Sequence, residues 1–408
     1  MSLYSRLAWR NIFRNKRRTY ITGIAVAVGL AALMFLDALY IGMADNMIAA
    51  ATASFTGEAQ IHGRDFLLAR DANLTVAGSE RLLADLRNDT LVKAFTPRTL
   101  SQGMVTSAAN VNPVLLVGVR PDTERALSQM DDVIEAGDYF GGNDPQNIVI
   151  GRKLADLLEV GVGDRVVVTV SRAGSGELSQ DLFRVSGIYR FNTDDLDDGL
   201  AFVRIEKAQD MLGLAGRVNE IALSFKDPRV SQDETHPFWT DYSTGGNEAL
   251  GWPRLFPALK SVYQMTTAAS LILGLLLFAV VALGIVNTMF MSIYERMFEF
   301  GVLRAVGTRP GGIRRLVILE AGSLALLSIA LGVGLGFLVT LIVSLTGVNY
   351  QNIEFAGVTI KELIYPVFHL KQYVLFPAGV LLFTMLVGLY PAGFAARMSV
   401  TRAMKRTM

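Results

Sequence analysis

The sequence has 408 residues, of which 51% are apolar, and its 38 basic and 37 acidic side chains nearly cancel. It contains no cysteine, which excludes a disulfide framework and thiol chemistry. The mean hydropathy of +0.37 and the balanced charge favour a membrane protein, and we expect no nucleic-acid partner.

Four stretches are long and apolar enough to cross a bilayer, which takes about 20 residues per helix. They cover residues 21–48, 265–294, 313–345 and 372–396. Between the first two, residues 49–264 have the composition of a soluble domain. A cleaved signal peptide is the alternative for the first stretch, but its charged and apolar parts together are too long for one.

Charge segregation predicts the orientation. The first 20 residues carry six basic side chains and no acid, and the loop 295–312 and the tail 397–408 are also rich in arginine. Residues 49–264 carry 30 acidic and 21 basic residues, a net charge of −9. By the positive-inside rule both termini are cytoplasmic and the large domain is exported.

Residues 1–20 predict an amphipathic helix on the cytoplasmic membrane surface. Over residues 2–18 the spacing of Arg6, Arg10, Arg14 and Arg17 places them on one face. Trp9 and Phe13 suit the headgroup region, although the charges alone could serve only as a topology signal. In the first span, Asp37 lies near the outer interface, which favours a solvated residue over a buried ion site.

The exported domain predicts an α+β fold of two subdomains. The discontinuous subdomain comprises residues about 49–120 and 217–253, the inserted one residues about 121–216, and a helical stalk, residues 254–264, leads without a break into the second span. Short strands are predicted at 59–62, 91–97, 102–106, 114–119, 147–150, 165–170, 182–188, 202–203 and 219–225. The acidic segment 192–198 lacks the glycine and glutamate positions of a calcium loop, so we interpret it as a solvated turn.

The segment 295–312 is short, charged and placed between two spans. Its composition and Gly307 at a helix end predict a short helix on the cytoplasmic surface. In the third span, Glu320 is expected to pair with an arginine of the nearby Arg314 and Arg315. Gly332 and Gly336 indicate close helix packing, and a periplasmic loop, residues 346–371, leads to the fourth span.

Enzyme motifs are missing from the sequence. No Gly-Lys dipeptide occurs, so the phosphate-binding loop of ATPases is not present. His62, His236 and His369 are scattered, which argues against a zinc site or a histidine-based triad. The sequence therefore predicts no enzyme, no metal site and no cofactor in this chain, and any ATP and Mg²⁺ would be bound by another subunit.

Several motifs together resemble the MacB/FtsX-like permeases, the type VII ABC transporters. They are YER at 294–296 with Glu299, GVLRAVG at 301–307, Glu320, LAWRN at 7–11 followed by the basic residues 14–18, IGR at 150–152 with Gly163 and Asp164, and YPA at 390–392 with Ala395, Ala396 and Ala403. The resemblance covers nearly the whole chain.

The resemblance implies a polytopic α-helical membrane protein of the bacterial inner membrane, with four transmembrane helices and a large periplasmic domain between helices 1 and 2. It implies a dimer with a second permease, either the same chain or a paralogue, joined to two ABC ATPase subunits. The ATPase-coupling role would fall to Glu295, Arg296, Glu299, Phe300, Gly301, Leu303, Arg304 and Gly307.

Within the family, the chain looks most like the lipoprotein-releasing permeases LolC and LolE, because it begins at the membrane and its exported domain is large. The implied function is release of lipoproteins from the inner membrane. Two alternatives are MacB-like efflux with a periplasmic adaptor and an outer-membrane duct, and FtsX-like signalling to a cell-wall hydrolase. The turn at residues 171–181 is shorter than the hook with which LolC recruits a chaperone, so we do not expect that recruitment here.

Overall fold

The computed structural model describes residues 3–12, 14, 16–142, 144–191, 194–349, 354–355, 358–359 and 363–398. The chain divides into two compact units. The membrane unit consists of Met1–Ala44, Tyr263–Asn349 and Leu363–Met408, and the sheet unit of Asp45–Val262 and Tyr350–Glu362. Predictions for Phe13, for residues 192–193, for Ala403 with the tail 399–408, and for much of the loop 346–371 lie outside the described residues.

The helices are α1 Leu3–Ile12, α2 Lys16–Ala51, α3 Phe66–Ala69, α4 Ser79–Asn88, α5 Pro121–Arg125, α6 Arg152–Leu158, α7 Asp194–Gly199, α8 Ile205–Leu212, α9 Arg229–Gln232, α10 Pro237–Tyr242, α11 Trp252–Leu255, α12 Pro257–Glu295, α13 Met297–Ala305, α14 Pro310–Thr346 and α15 Leu370–Ala396. A π-helical turn, Thr52–Thr56, continues α2.

The strands are β1 Ala59–Gly63, β2 Val92–Thr106, β3 Val111–Val119, β4 Ile134–Gly137, β5 Asn147–Gly151, β6 Arg165–Ser171, β7 Leu178–Tyr189, β8 Leu200–Arg204, β9 Glu220–Phe225, β10 Asn247–Gly251, β11 Glu354–Phe355 and β12 Val358–Thr359.

Four helices of the described chain, α2 with its π turn, α12, α14 and α15, are long and apolar enough to cross a membrane. Even the shortest, α15 with 27 residues, extends about 40 Å at 1.5 Å per residue, more than a hydrocarbon core of about 30 Å. Helix α14 begins where the extended Arg309 is followed by Pro310 in the first turn, a position that proline favours. The four predicted spans are therefore confirmed.

Small residues let α14 approach α2 closely within the membrane unit. A Cβ on Gly332 would lie 2.9 Å from the backbone oxygen of Ala27, and one on Gly336 would lie 3.2 Å from the Cα of Ala31. A Cβ on the intervening Gly334 would meet no atom within 4 Å. The predicted packing role of Gly332 and Gly336 is confirmed, because only glycine leaves room for the neighbouring backbone at those positions.

The sheet unit is built on one ten-stranded sheet in which six strands form a closed ring. Neighbouring strands around the ring are β2, β3, β8, β5, β7 and β6, and β6 pairs again with β2. Apolar side chains fill the interior of the ring, including Val105, Leu116, Ile150, Val168, Phe183 and Val203. Strands β9, β1 and β10 continue the sheet from the first half of β2. Strands of both predicted subdomains thus share one sheet, and the boundary between the subdomains stays a prediction.

Two predicted helix boundaries are wrong. Residues 2–18 do not form a single helix, because α1 ends at Ile12 and α2 begins at Lys16. The stalk does not start at residue 254, because Phe256 leaves the helical region, with φ −123° and ψ 73°, between α11 and α12. Helix α12 therefore begins at Pro257, where proline is accepted in a first turn.

Two carboxylates, Asp197 and Asp37, have hydrogen-bond partners that the sequence did not predict. Asp197 is buried in a short helix, and its Oδ1 accepts a 2.6 Å hydrogen bond from the backbone N–H of Phe191. Asp37 is not simply solvated, since Gln372 donates to its Oδ2 at 2.8 Å. The donor to Asp37 comes from a distant part of the chain, whereas Asp197 supplies an acceptor to a nearby backbone N–H.

Candidate functional site

Helix α13 lies between the second and third spans and has well-defined ends. Arg296, with φ −106° and ψ 15°, separates it from α12. At its other end Gly307 has a φ of +100°. The N–H groups of Gly307 and Thr308 donate to the carbonyls of Arg304 and Leu303 at 3.1 and 2.9 Å. This is the Schellman arrangement, which glycine allows at low cost because it has no Cβ.

A buried arginine connects the start of α13 to α14. The Nη1 of Arg296 donates to both carboxylate oxygens of Glu320, at 2.8 and 3.1 Å, and its Nε donates to Glu299 at 3.1 Å. The prediction that Glu320 pairs with an arginine is confirmed, but the partner is Arg296, while Arg314 and Arg315 are exposed. Glu320 lies on the side of α14 that faces Arg296, and the two buried charges therefore pair with each other.

Glu299 also connects α13 to the N-terminal segment, because it accepts a hydrogen bond from Arg14. Burial favours the neutral carboxyl, but the hydrogen bonds from Arg14 and Arg296 outweigh burial and lower the pKa of Glu299. The carboxylate is therefore ionised at neutral pH and can hold both arginines.

A third basic residue fixes the end of α13. The Nη1 of Arg304 donates to the backbone oxygen of Ala396 at 2.9 Å. Ala396 is the last residue of α15, where the carbonyls lack helical partners and the helix dipole favours a cation. Together with Arg14 and Arg296, Arg304 attaches α13 to α14, to α15 and to the N-terminal segment.

The two faces of α13 differ. Met297, Phe300 and Gly301 are buried, and Phe300 belongs to the core of the membrane unit. The opposite side exposes four apolar residues, Phe298, Val302, Leu303 and Val306, which we call the α13 ridge. Phe298 and Val302 are four residues apart and lie along one side of α13, and Val306 follows directly after the end of the helix. Exposed apolar side chains on a loop element favour a protein-binding surface.

The predicted coupling residues therefore fall into two groups. Arg296, Glu299, Phe300, Gly301, Arg304 and Gly307 build and hold α13, whereas Leu303 belongs to the exposed ridge, and Glu295 is exposed at the last position of α12. Sequence reasoning missed Phe298, Val302 and Val306 as surface residues, and Arg14 and Ala396 as anchors. The four-residue apolar spacing could have revealed the ridge, but no local signal reveals the anchors.

Within the described residues, no group of three or more histidine, aspartate or glutamate side chains is placed to hold a metal ion. The site offers ion pairs that fix a short helix and an apolar surface that is open to a partner. Such an arrangement can transmit a push from a soluble protein to the attached spans.

Two family models match the chain. The MacB-like periplasmic core domain matches residues 19–234, which is more than half of the sequence, and the FtsX-like permease C-terminal region matches residues 271–400. The chain belongs to the MacB/FtsX-like family of ABC transporter permeases. The resemblance drawn from motifs is thus confirmed, and the permease is a multi-pass protein of the inner membrane with a periplasmic domain between its first and second spans.

Several curated proteins are similar to the permease. A lipoprotein-releasing system transmembrane protein LolC from Xylella fastidiosa is 23% identical over 84% of this chain and 86% of its own length. A lipoprotein-releasing system transmembrane protein LolE from Haemophilus influenzae is 21% identical over 79% of this chain and 80% of its own length. A macrolide export ATP-binding/permease protein MacB 2 from Aeromonas hydrophila is 23% identical over 84% of this chain, but over only 53% of its own length.

Family membership places α13 in the cytoplasm. The sheet unit is periplasmic, and one crossing, α12, separates it from α13 along the chain. The α13 ridge is therefore on the side of the membrane where ATP is available.

Proposed function

We propose that this permease couples ATP hydrolysis by a separate ABC ATPase subunit to release of lipoproteins from the inner membrane. The observation that carries the proposal is the α13 ridge, four exposed apolar side chains on and directly after a helix that is anchored by Arg14, Arg296 and Arg304. The permease acts as a dimer, with a second copy or a paralogue. No phosphate-binding loop occurs in the sequence, so the ATP and Mg²⁺ are assigned to the partner subunit.

Lipoprotein is the proposed substrate because the relatives named LolC and LolE align over most of both chains. The second candidate is efflux with a periplasmic adaptor, supported by the MacB relative that aligns over 84% of this chain. The hairpin between β6 and β7, closed by a 2.8 Å hydrogen bond from Arg172 N–H to the Glu177 carbonyl, is short. We therefore propose that lipoprotein release does not depend on a chaperone-binding hook in this chain.

Docking is tested by placing a charge on the ridge. We expect Phe298→Asp to reduce the ATPase activity that copurifies with the tagged permease at least tenfold, because the substitution puts an ionised side chain where an apolar contact forms. Leu68→Asp is the matched control, since Leu68 is 89% exposed but lies in the periplasmic unit. Unchanged copurification in Phe298→Asp with normal membrane insertion would contradict docking on α13.

The substrate is tested by depleting the permease in its host. We expect palmitate-labelled lipoproteins to accumulate in the inner membrane and to decrease in the outer membrane. If lipoprotein distribution is unchanged while macrolide sensitivity rises, the efflux candidate replaces the lipoprotein candidate.

A further inference from the structure

Helix α2 contains the first span and continues into the sheet unit, where it ends in a π turn, Thr52–Thr56. The last carbonyls of a helix have no helical donors, and here the surrounding domain supplies them. Ala53 O accepts from the backbone N–H of Gln129 at 3.0 Å. Phe55 O accepts from Arg98 Nη2 at 2.6 Å and Thr56 O from Gln60 Nε2 at 2.8 Å. The π turn after α2 is thus capped by β1, β2 and the segment after α5.

Arg98 is the centre of this capping. Its side chain is fully buried, and it donates to Glu124 from Nε and Nη2, at 3.0 and 2.6 Å, and to Glu220 from Nη1 at 2.8 Å. The guanidinium carbon also lies 3.9 Å from the centre of the Phe55 ring. Arg98 therefore contacts both the carbonyl and the ring of Phe55, and the carboxylates of Glu124 and Glu220 fix the orientation of the guanidinium.

The second cap is connected to the first through His62. Because Gln60 Nε2 donates to Thr56 O, its Oε1 is the atom that faces His62 Nε2 at 2.9 Å. The histidine therefore carries its proton on Nε2, which also lies 3.4 Å from Glu220 Oε2. The two side-chain caps of the π turn thus share Glu220.

Stability alone does not account for these charges. Removing an arginine and two glutamates from water is costly, and apolar replacements of buried ion pairs are often equally stable. The ion pairs instead fix the orientation of the groups that they join, because the planar guanidinium donates its hydrogen bonds in fixed directions. The chain then turns sharply into β1 at Gly57, which has a φ of +80° and whose Cβ would lie 3.0 Å from the Leu223 carbonyl oxygen. Such π turns occur frequently at functional sites.

We propose that Arg98 is the positioning residue of a rigid joint, formed by the π turn Thr52–Thr56 with Gln60, Arg98, Glu124 and Glu220, that fixes the end of the first membrane helix to the periplasmic sheet. Displacement of α2 is then passed to β1 and β2 instead of being absorbed by bending. The inference rests on the proposed function, in which ATP hydrolysis in the cytoplasm changes the conformation of the periplasmic domain.

The joint is tested by measuring a distance in the full-length permease in lipid nanodiscs. The chain has no cysteine, so Ala49→Cys and Lys93→Cys, both at exposed positions, introduce the only two spin-label sites. Arg98→Lys keeps the charge but replaces the planar guanidinium, which makes four hydrogen bonds to Glu124, Glu220 and Phe55 O, by an ammonium with three donors and no fixed plane. We expect the distance distribution to become at least twofold wider, and exchange of the amides of residues 52–57 to become at least tenfold faster.

Val168→Ala is the matched control, because it removes methyl groups from the buried interior of the strand ring without touching the joint. It should lower the stability of the sheet unit while leaving the 49–93 distance distribution narrow. The joint is overturned if Arg98→Lys leaves that distribution and the amide exchange unchanged, or if Val168→Ala widens the distribution equally. If Arg98→Lys does not fold, Glu124→Gln serves in its place, with the same two outcomes.

Transmission is tested separately from docking. The Arg98→Lys permease should copurify with normal ATP hydrolysis and release labelled lipoprotein at least fivefold more slowly. Normal release from a permease with a widened distribution would overturn the transmitting role of Arg98. Phe298→Asp should leave the 49–93 distance distribution narrow. The docking proposal and the joint can therefore fail independently, and the two results can be told apart.

Discussion

Glu220 shows how a buried carboxylate can be kept ionised. Burial raises its pKa, but the hydrogen bond to His62 and the charge of Arg98 outweigh burial, and the pKa of Glu220 is lowered. The same balance applies to Glu299 on the cytoplasmic side, where Arg14 and Arg296 are the partners. Each carboxylate thus depends on an arginine from a distant part of the chain, Arg98 for Glu220 and Arg14 for Glu299.

The pH dependence of stability follows from the direction of that shift. A pKa that is lower in the folded state than its ordinary value of 4.5 stabilises the fold above that value, and the contribution is lost as pH falls through the folded pKa. We expect Glu220→Gln to reduce stability at pH 7 by about 1–3 kcal/mol. The difference from wild type should shrink below pH about 4.5, where the wild-type carboxyl begins to lose its charge in the unfolded chain.

Tryptophan fluorescence can measure this effect in the whole protein. The chain has three tryptophans, and in a Trp9→Phe background the remaining two, Trp239 and Trp252, belong to the sheet unit. Thermal unfolding of that variant, with and without Glu220→Gln, gives the stability difference at each pH. The exposed Glu206→Gln is the control. A difference that stays constant from pH 7 to pH 3.5 would contradict the assignment.

At the residue scale, the sequence could not predict the partners that decide these roles. Arg98 meets Glu124 and Glu220 across 26 and 122 positions, and Arg14 meets Glu299 across 285. Such pairs leave no local pattern. The predicted coupling residues were chosen by resemblance, and their role in docking stays a prediction, although the geometry now divides them into anchoring and exposed residues.

At the element scale, the packing of α2 against α14 makes a sharp prediction for two glycines that are two residues apart. Gly332→Leu should lower the thermal stability of the detergent-solubilised permease by several degrees, because overpacking a close contact costs about 1–3 kcal/mol. Gly334→Leu should be tolerated, since its Cβ would meet no atom within 4 Å. Equal melting temperatures for the two variants would contradict the observed helix contact.

Regular elements were predicted well where their periodicity was uninterrupted. The four spans agree with the sequence, as does the end of α13 at Gly307. Strand β2 was predicted as two strands, residues 91–97 and 102–106, with the polar Arg98, Thr99 and Ser101 between them. In the structure these residues are buried, and two ion pairs offset part of the cost of burying Arg98. Strand β10 was missed because it is short and directly follows two glycines.

At the scale of the whole molecule, the orientation can be checked with single cysteines, since the chain has none of its own. Ser175→Cys, in the exposed hairpin between β6 and β7, should react with a membrane-impermeant maleimide in spheroplasts. Arg309→Cys, exposed before α14, should react only after lysis, because basic loops are retained in the cytoplasm. Labelling of Arg309→Cys in intact spheroplasts would contradict the topology.

The three arginine anchors of α13 also limit how the membrane unit can respond to mechanical load. Arg296 ties the helix to α14, Arg304 ties it to the end of α15, and Glu299 ties it to Arg14 ahead of α2, while α12 adjoins it through the backbone at Arg296. A force applied to this short helix cannot be absorbed by one span alone. We therefore expect the force to be shared among all four spans, so that the bundle moves as a unit.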